Sequence, residues 1–294
     1  MFIGFKPQEN VKPAVIETLR EFTENDDPGN SSIVFAGTGI NSGLYNMVFE
    51  SLGKERLDKV KGIHIVSGSI YPYLFFLARQ EGKFLWTRAK LKNWEPAARK
   101  WMGIIPLLSF AKVLWCLATK KEYFFSSDQA VLPVKKAVSP DFYNQKISSL
   151  PHNVSVWVYN NTKHSLEEVT ATSEKWKDRP LIDLARATPA FPPMVQAFKT
   201  DDETFSDPDF SRANLELRNK LKTSGANVLF CNMYRHGRQG DVFYLKPHQY
   251  KSGKAMMIID YLIFLLGIPN KRVADSVLQG HRDAKPAVLR AVHQ

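Results

Sequence analysis

The sequence predicts an α/β fold in three layers, with a mainly parallel central sheet covered by helices on both faces. Short apolar runs alternate along the chain with segments whose apolar residues recur at helical spacing. Two of these runs lead through a tight turn directly into a helical segment, which is the order of a βαβ unit. The 294 residues, 44% of them hydrophobic, can bury a full core. Because neither a repeat nor a clear linker is present, residues 1–294 are expected to form a single domain.

The elements follow from local patterns. Pro13–Glu24 carries its apolar residues on one helix face and has proline in the first turn, which predicts a helix. Residues 33–36 predict a buried strand, followed by the turn GTGINSG and a helix over 44–52. The stretch GIHIVSGSIYPYLFFLA repeats this order, with a strand at 63–66, a turn at 67–69 and a helix at 71–79. Later predicted elements are a strand at 154–161, a helix closing in a proline-rich turn at 181–193, and a buried strand at 226–234.

Charge and cysteine content narrow the classes of function. The formal net charge of +11 favours an anionic partner, such as a membrane surface. Cys116 and Cys231 are too few for a disulfide framework or a zinc site, and they predict a reducing compartment.

The first residues lack the pattern of a cleaved secretory signal, although export by another route stays open. The apolar runs 104–118 and 255–268 are short for a bilayer span of about 20 residues.

Residues 83–121 form a basic, tryptophan-rich segment. It has a net charge of +8 and contains four of the six tryptophans of the chain. Indole rings and lysines interleaved with apolar residues are typical of a helix that lies at a membrane interface, where the lysines meet anionic lipids. The alternative is a core helix over 107–118 flanked by solvated lysines. Nucleic-acid binding is not expected, because no recognised binding module accompanies the segment.

Both predicted strand-turn-helix units place unusual residues at the carboxyl end of a strand, where ligands of α/β proteins collect. In GTGINSG, Gly37 and Gly39 permit close backbone approach, and the next helix directs free N–H groups at the loop. That arrangement suits a phosphate or an oxyanion, although a tight packing turn is an equal alternative. In SGSIY, Ser69 resembles the nucleophile of a strand-to-helix elbow. Its alternative role is to cap a helix that begins near Ile70.

Four motifs, in this order along the chain, resemble the patatin-like phospholipase family. They are the glycine loop GTGINS at 37–42, the serine turn SGSIY at 67–71, the segment ARATPAFPP at 185–193 and the DPD of 207–209. The family has G-G-G-x-R/K-G, G-x-S-x-G, an alanine-rich helix ending near F-P-P and D-G-G/A at these places. The resemblance spans roughly residues 33–234 and implies a patatin-like fold.

The resemblance implies a serine acyl hydrolase that uses a Ser-Asp dyad. Ser69 would be the nucleophile, Asp207 its general base, and Gly37, Thr38 and Gly39 the oxyanion hole, with no metal or cofactor. The other acidic residues near Asp207 could each be solvated loop charges; they are Asp201, Asp202, Glu203 and Asp209. A triad is the alternative mechanism, and its candidate bases are His236, His248 and His281.

The expected substrate is a phospholipid or another acyl lipid, and the expected partner is an anionic membrane surface. The cysteine content, the lack of a secretory-signal pattern and the basic segment predict a cytoplasmic, peripherally membrane-associated protein, whose oligomeric state the sequence leaves open. Ser42, Ser67 and Tyr71 stand where the family has glycine. This departure supports a second hypothesis, a catalytically inactive patatin-fold protein that binds lipid or a protein partner.

Overall fold

The computed structural model describes residues 13–24, 27–36, 45–85, 123, 125–191, 195–232 and 237–245. Their helices are α1 Pro13–Glu24, α2 Tyr45–Lys59, α3 Ile70–Gln80, α4 Ser127–Ala130, α5 Leu132–Ala137, α6 Pro140–Tyr143, α7 Ile182–Ala187 and α8 Asn214–Lys222. Their strands are β1 Ser31–Phe35, β2 Gly62–Val66, β3 Val154–Asn160, β4 Ser165–Val169, β5 Phe198–Lys199, β6 Thr204–Ser206, β7 Asn227–Cys231, β8 Gly237–Gln239 and β9 Val242–Leu245. Single 3₁₀ turns lie at Pro28–Asn30, Ser67–Ser69, Ile147–Ser149 and Pro208–Phe210.

The strands form one sheet with a parallel centre. Its order is β5-β6-β3-β2-β1-β7-β9-β8, and β4 pairs with β3. All four pairings within β3-β2-β1-β7-β9 are parallel, whereas β4, β5, β6 and β8 pair antiparallel with their neighbours. The carboxyl ends of the five parallel strands therefore lie at one edge of the sheet, which is where α/β proteins build their sites.

Both faces of the sheet are covered, because side chains alternate along each strand. In β1, Ile33 and Phe35 join the larger core cluster together with residues of α1, α2, α3 and α7. Val34 joins a smaller cluster on the opposite face, where α8 contributes Leu217 and Leu221. This arrangement confirms an α/β fold with a mostly parallel central sheet and helices on both sides.

Most predicted elements are confirmed, and two helices differ in length. The helix predicted over 44–52 continues to Lys59, although Gly53, with φ of 71°, interrupts its regular geometry. The helix predicted within 181–193 ends at Ala187, with Thr188 as its C-cap. Pro189 follows that cap and has no N–H with which to continue the helix.

Several predictions lie outside the described residues. They concern the glycine loop at 37–42, residues 86–121 of the tryptophan-rich segment, the apolar run 255–268, and Cys116. Cys231 is described, and it is a buried free thiol at the end of β7. Within the described ranges, no helix is both long and apolar enough to cross a membrane.

Gly225 allows the chain to pass closely beside β1. A Cβ atom at this position would lie 2.6 Å from the Asn30 carbonyl oxygen and 2.9 Å from the Ser32 amide nitrogen. Both atoms belong to the backbone, so Gly225→Ala should lower the free energy of unfolding by about 1–3 kcal/mol. Urea denaturation can compare this variant with Gly29→Ala, whose Cβ would meet only Asp27 Oδ1 at 3.7 Å. Equal stability of the two variants would contradict the prediction.

Candidate active site

Strands β2 and β6 meet head to head along one edge of β3. β2 pairs with β3 over Val154 to Trp157, and β6 pairs with it at Tyr159 and Asn160. β4 occupies the opposite edge of β3 over the same residues that β6 contacts. A strand has only two edges, so β6 must continue the line of β2. Because β2 is parallel to β3 and β6 is antiparallel, their carboxyl ends face each other, and the next residues of the two strands are Ser67 and Asp207.

Ser67 has the backbone geometry of a sharp strand-to-helix elbow. It directly follows β2, and its φ is 57°, in the left-handed region that residues other than glycine rarely adopt. The 3₁₀ turn Ser67–Ser69 then leads without a gap into α3. A serine held in this costly conformation between a buried strand and a buried helix is the geometry by which an elbow presents its nucleophile.

The hydroxyl of Ser67 is hydrogen-bonded to the carboxylate of Asp207. Ser67 Oγ donates to Asp207 Oδ2, and the backbone N–H of Asp209 donates to Asp207 Oδ1 at 2.9 Å. Both members of the pair are buried, with Ser67 3% and Asp207 1% exposed. The site thus contains a hydroxyl and a potential proton acceptor in direct contact, away from bulk water.

Burial makes Asp207 a stronger base than an ordinary aspartate. Loss of solvent raises the pKa of Asp207 well above its usual value, and the negative charge of Asp209 raises it further. The hydrogen bonds from Ser67 and from the Asp209 N–H act in the opposite direction, because they stabilise the carboxylate. The result is a carboxyl group with a raised pKa, as general-base catalysis requires.

Thr188 fixes the backbone of the elbow, a role that the sequence did not predict. The N–H of Ser67 donates to Thr188 Oγ1 at 2.9 Å, and Thr188 Oγ1 donates to the Trp157 carbonyl at 2.7 Å. Two residues later, the Ala190 carbonyl accepts a 2.7 Å hydrogen bond from the N–H of Asp207. The segment after α7 therefore holds both members of the pair. Its TPA sequence was part of the recognised motif, but nothing in that motif singled out the threonine.

The structure brings Ser67, rather than the predicted Ser69, into hydrogen-bond contact with Asp207. Ser69 is fully buried, and its Oγ accepts from the Val66 N–H at 3.0 Å and contacts the carbonyl oxygens of Phe35 at 2.8 Å and Val66 at 2.6 Å. These hydrogen bonds tie the elbow to the end of β1. Ser69 does occupy the N-cap position of α3, which begins at Ile70 as the alternative predicted, but its side chain makes no capping hydrogen bond to the helix. The elbow motif is instead I-V-S-G-S, with Ser67 at its centre and Ser69 at the last glycine position.

The other predicted site residues fall into two groups. Among the acidic competitors of Asp207, Asp201 and Asp202 are exposed, and Glu203 accepts from Asn160. The predicted oxyanion-hole residues and the candidate histidines lie outside the described residues; they are Gly37, Thr38, Gly39, His236, His248 and His281. Over the described part of the chain, no group of three or more His, Cys, Asp or Glu side chains could hold a metal ion.

The strain at Ser67 can be measured with two substitutions that both remove its hydroxyl. Ser67→Gly should be more stable than Ser67→Ala by about 1 kcal/mol, because glycine adopts a φ of 57° without the cost that a Cβ imposes. Thermal or urea unfolding of both variants under identical conditions gives the difference directly. An alanine variant as stable as the glycine variant would show that the elbow is unstrained.

Comparison with models of known protein families gives no match to this chain, and comparison with curated protein sequences gives no significant match.

Proposed function

We propose that this protein is a serine acyl hydrolase of patatin-like type, with Ser67 as nucleophile and Asp207 as general base. One observation carries the proposal: the hydroxyl of a serine with left-handed backbone, at a strand-to-helix junction, donates to a buried carboxylate. The order of the other three motifs, at 37–42, 185–193 and 207–209, supports it. The nucleophile of the resemblance is thereby moved from Ser69 to Ser67.

The proposed reaction has two steps. Asp207 accepts the proton of Ser67 while Oγ attacks the acyl carbonyl, and the tetrahedral intermediate collapses as the alcohol leaves with that proton. Water then attacks the acyl-serine ester, giving its proton to Asp207, and the fatty acid departs as the Ser67 hydroxyl is restored. The predicted loop of Gly37, Thr38 and Gly39 would stabilise the oxyanion of both intermediates. That loop follows β1, whose last residue contacts Ser69 of the elbow.

The pair works as a dyad in this proposal. In the described part of the chain, Asp207 receives hydrogen bonds from Ser67 Oγ and from the Asp209 N–H. A carboxylate can replace the histidine of a triad when its basicity is raised, and burial raises the pKa of Asp207. Activity should therefore rise as the pH increases through the pKa of this carboxyl group.

The proposed substrate is a phospholipid or a related acyl lipid in an anionic membrane. The net charge of +11, and the +8 carried by residues 83–121 with four tryptophans, support a surface that binds such a membrane. The test is fatty-acid release from vesicles of a mixed lipid panel, with and without anionic lipid, by the wild-type protein and by Ser67→Ala. Release by the wild type alone supports the proposal, and equal release by both proteins would contradict it.

A second candidate is a catalytically inactive member of the same fold that binds lipid. It is favoured by the burial of the pair, because Ser67 and Asp207 are 3% and 1% exposed and a substrate must reach both. In this case wild-type protein and Ser67→Ala would bind vesicles equally, and neither would release fatty acid. The vesicle assay thus separates the two candidates.

A further inference from the structure

A second carboxylate, Asp209, lies beside the proposed base. Its backbone N–H donates to Asp207 Oδ1 at 2.9 Å, and its Oδ1 accepts from Arg218 Nη2 on α8 at 3.3 Å. The Asn214 side chain, at the start of the same helix, donates to the Asp209 carbonyl. Asp209 is 7% and Arg218 30% exposed, so α8 brings a positive charge to a nearly buried negative one.

The groups that face Asp207 in the described part of the chain come from three elements. Asp209 contributes its charge from the turn after β6, the elbow contributes the Ser67 hydroxyl, and α3 contributes Tyr71. Burial raises the pKa of the Tyr71 phenol and the Asp207 charge raises it further, so Tyr71 stays neutral. Among the described residues, Asp209 is thus the second acidic group that acts on Asp207, and Arg218 donates to it from α8.

We propose that Arg218 is a positioning residue that acts on Asp207 through Asp209, keeping the proposed base free to accept the proton of Ser67. The catalytic part of this inference rests on the proposed function. Without the guanidinium, the negative charge of Asp209 would be less compensated, and Asp207 would retain its proton to higher pH. In the wild-type protein, the charges of Asp209 and Arg218 would together set the proton affinity of Asp207, the partner of Ser67 in the elbow.

The inference predicts opposite changes for two substitutions. Arg218→Met should raise the pH at which Asp207 loses its proton by about one unit, because one compensating charge is lost. Asp209→Asn should lower that pH by about one unit, since it removes the like charge but keeps the backbone N–H that donates to Asp207. A role in packing alone would not move the two titrations in opposite directions.

The experiment is a ¹³C NMR titration of the side-chain carboxyl carbons in protein labelled at aspartate, with the Asp207 signal assigned by its loss in Asp207→Asn. Lys220→Met is the matched control, because it removes one positive charge from an exposed position of α8 whose ammonium lies over the Trp157 ring. It should leave the Asp207 titration unchanged, and Arg218→Lys should restore most of the wild-type midpoint.

The inference is overturned if Arg218→Met shifts Asp207 no more than Lys220→Met does, or if Asp209→Asn fails to lower the midpoint. Circular dichroism checks that each variant is folded. If Arg218→Met does not fold, the direction of the Asp209→Asn shift decides. The titration needs no turnover, so an inactive protein would contradict the proposed function without affecting this result. In an active enzyme, the acid limb of the pH-rate profile should move with the NMR midpoints.

Discussion

Ser67→Ala should lower the rate of fatty-acid release by at least about 10³-fold, because the alanine has no oxygen to form the acyl-enzyme. Ser69→Ala is the matched control, since it removes the other hydroxyl of the same turn. It loses the hydrogen bonds to Phe35 and Val66, and it should cost about 1–2 kcal/mol of stability while hydrolysis persists. Both rates are measured on the same vesicles at temperatures where both variants are folded.

The reverse result would restore the assignment based on sequence. If Ser69→Ala were folded and inactive while Ser67→Ala retained hydrolysis, the hydrogen bond between Ser67 and Asp207 would have only a structural role. The Ser67→Gly variant adds a check, because it should be as inactive as Ser67→Ala in spite of its relaxed backbone.

Asp207→Asn should lower hydrolysis by about 10²- to 10⁴-fold, the usual contribution of a general base. Asparagine can still accept hydrogen bonds through its side-chain oxygen, but it cannot take up the proton of Ser67. Asp201→Asn, an exposed aspartate in the preceding turn, is the control and should leave the rate unchanged. Retention of full activity in Asp207→Asn would remove Asp207 from the mechanism.

The same substitution should change how stability depends on pH. Folding raises the pKa of Asp207, so the folded protein holds this proton more tightly than the unfolded chain does. The free energy of unfolding should therefore fall as the pH rises from the ordinary aspartate range through the folded-state pKa. Asparagine has no proton to lose there, so Asp207→Asn should show a smaller fall. Urea unfolding of both proteins at several pH values measures the difference, and identical slopes would contradict the raised pKa.

The sequence could predict the elements around the site but not the serine within it. The apolar run of 62–66 and the helical spacing that follows are strong local signals, and both elements form as expected. The turn between them contains two serines separated by one glycine, Ser67 and Ser69. Choosing between them requires the φ of each residue and the position of β6, and both depend on long-range packing.

Asp207 and Thr188 illustrate which site residues the sequence can predict and which it cannot. Asp207 could be selected because it stands at the aspartate of the fourth motif, and β6 does carry it to the elbow. Thr188 could not be selected, because its role depends on the Ser67 N–H and the Trp157 carbonyl, 121 and 31 residues away in the chain. Local patterns predict elements and their order, whereas hydrogen bonds between distant segments determine which side chains form the site.

Tandem mass spectrometry of the protein labelled with a fluorophosphonate probe tests the central claim most directly. The probe reacts with activated serines, and fragmentation between Gly68 and Ser69 separates the two candidate positions. We expect the adduct on Ser67 in the wild-type protein and in Ser69→Ala, with labelling lost in Ser67→Ala and in Asp207→Asn. An adduct on Ser69, or no adduct on folded protein, would contradict the assignment of Ser67 as the nucleophile.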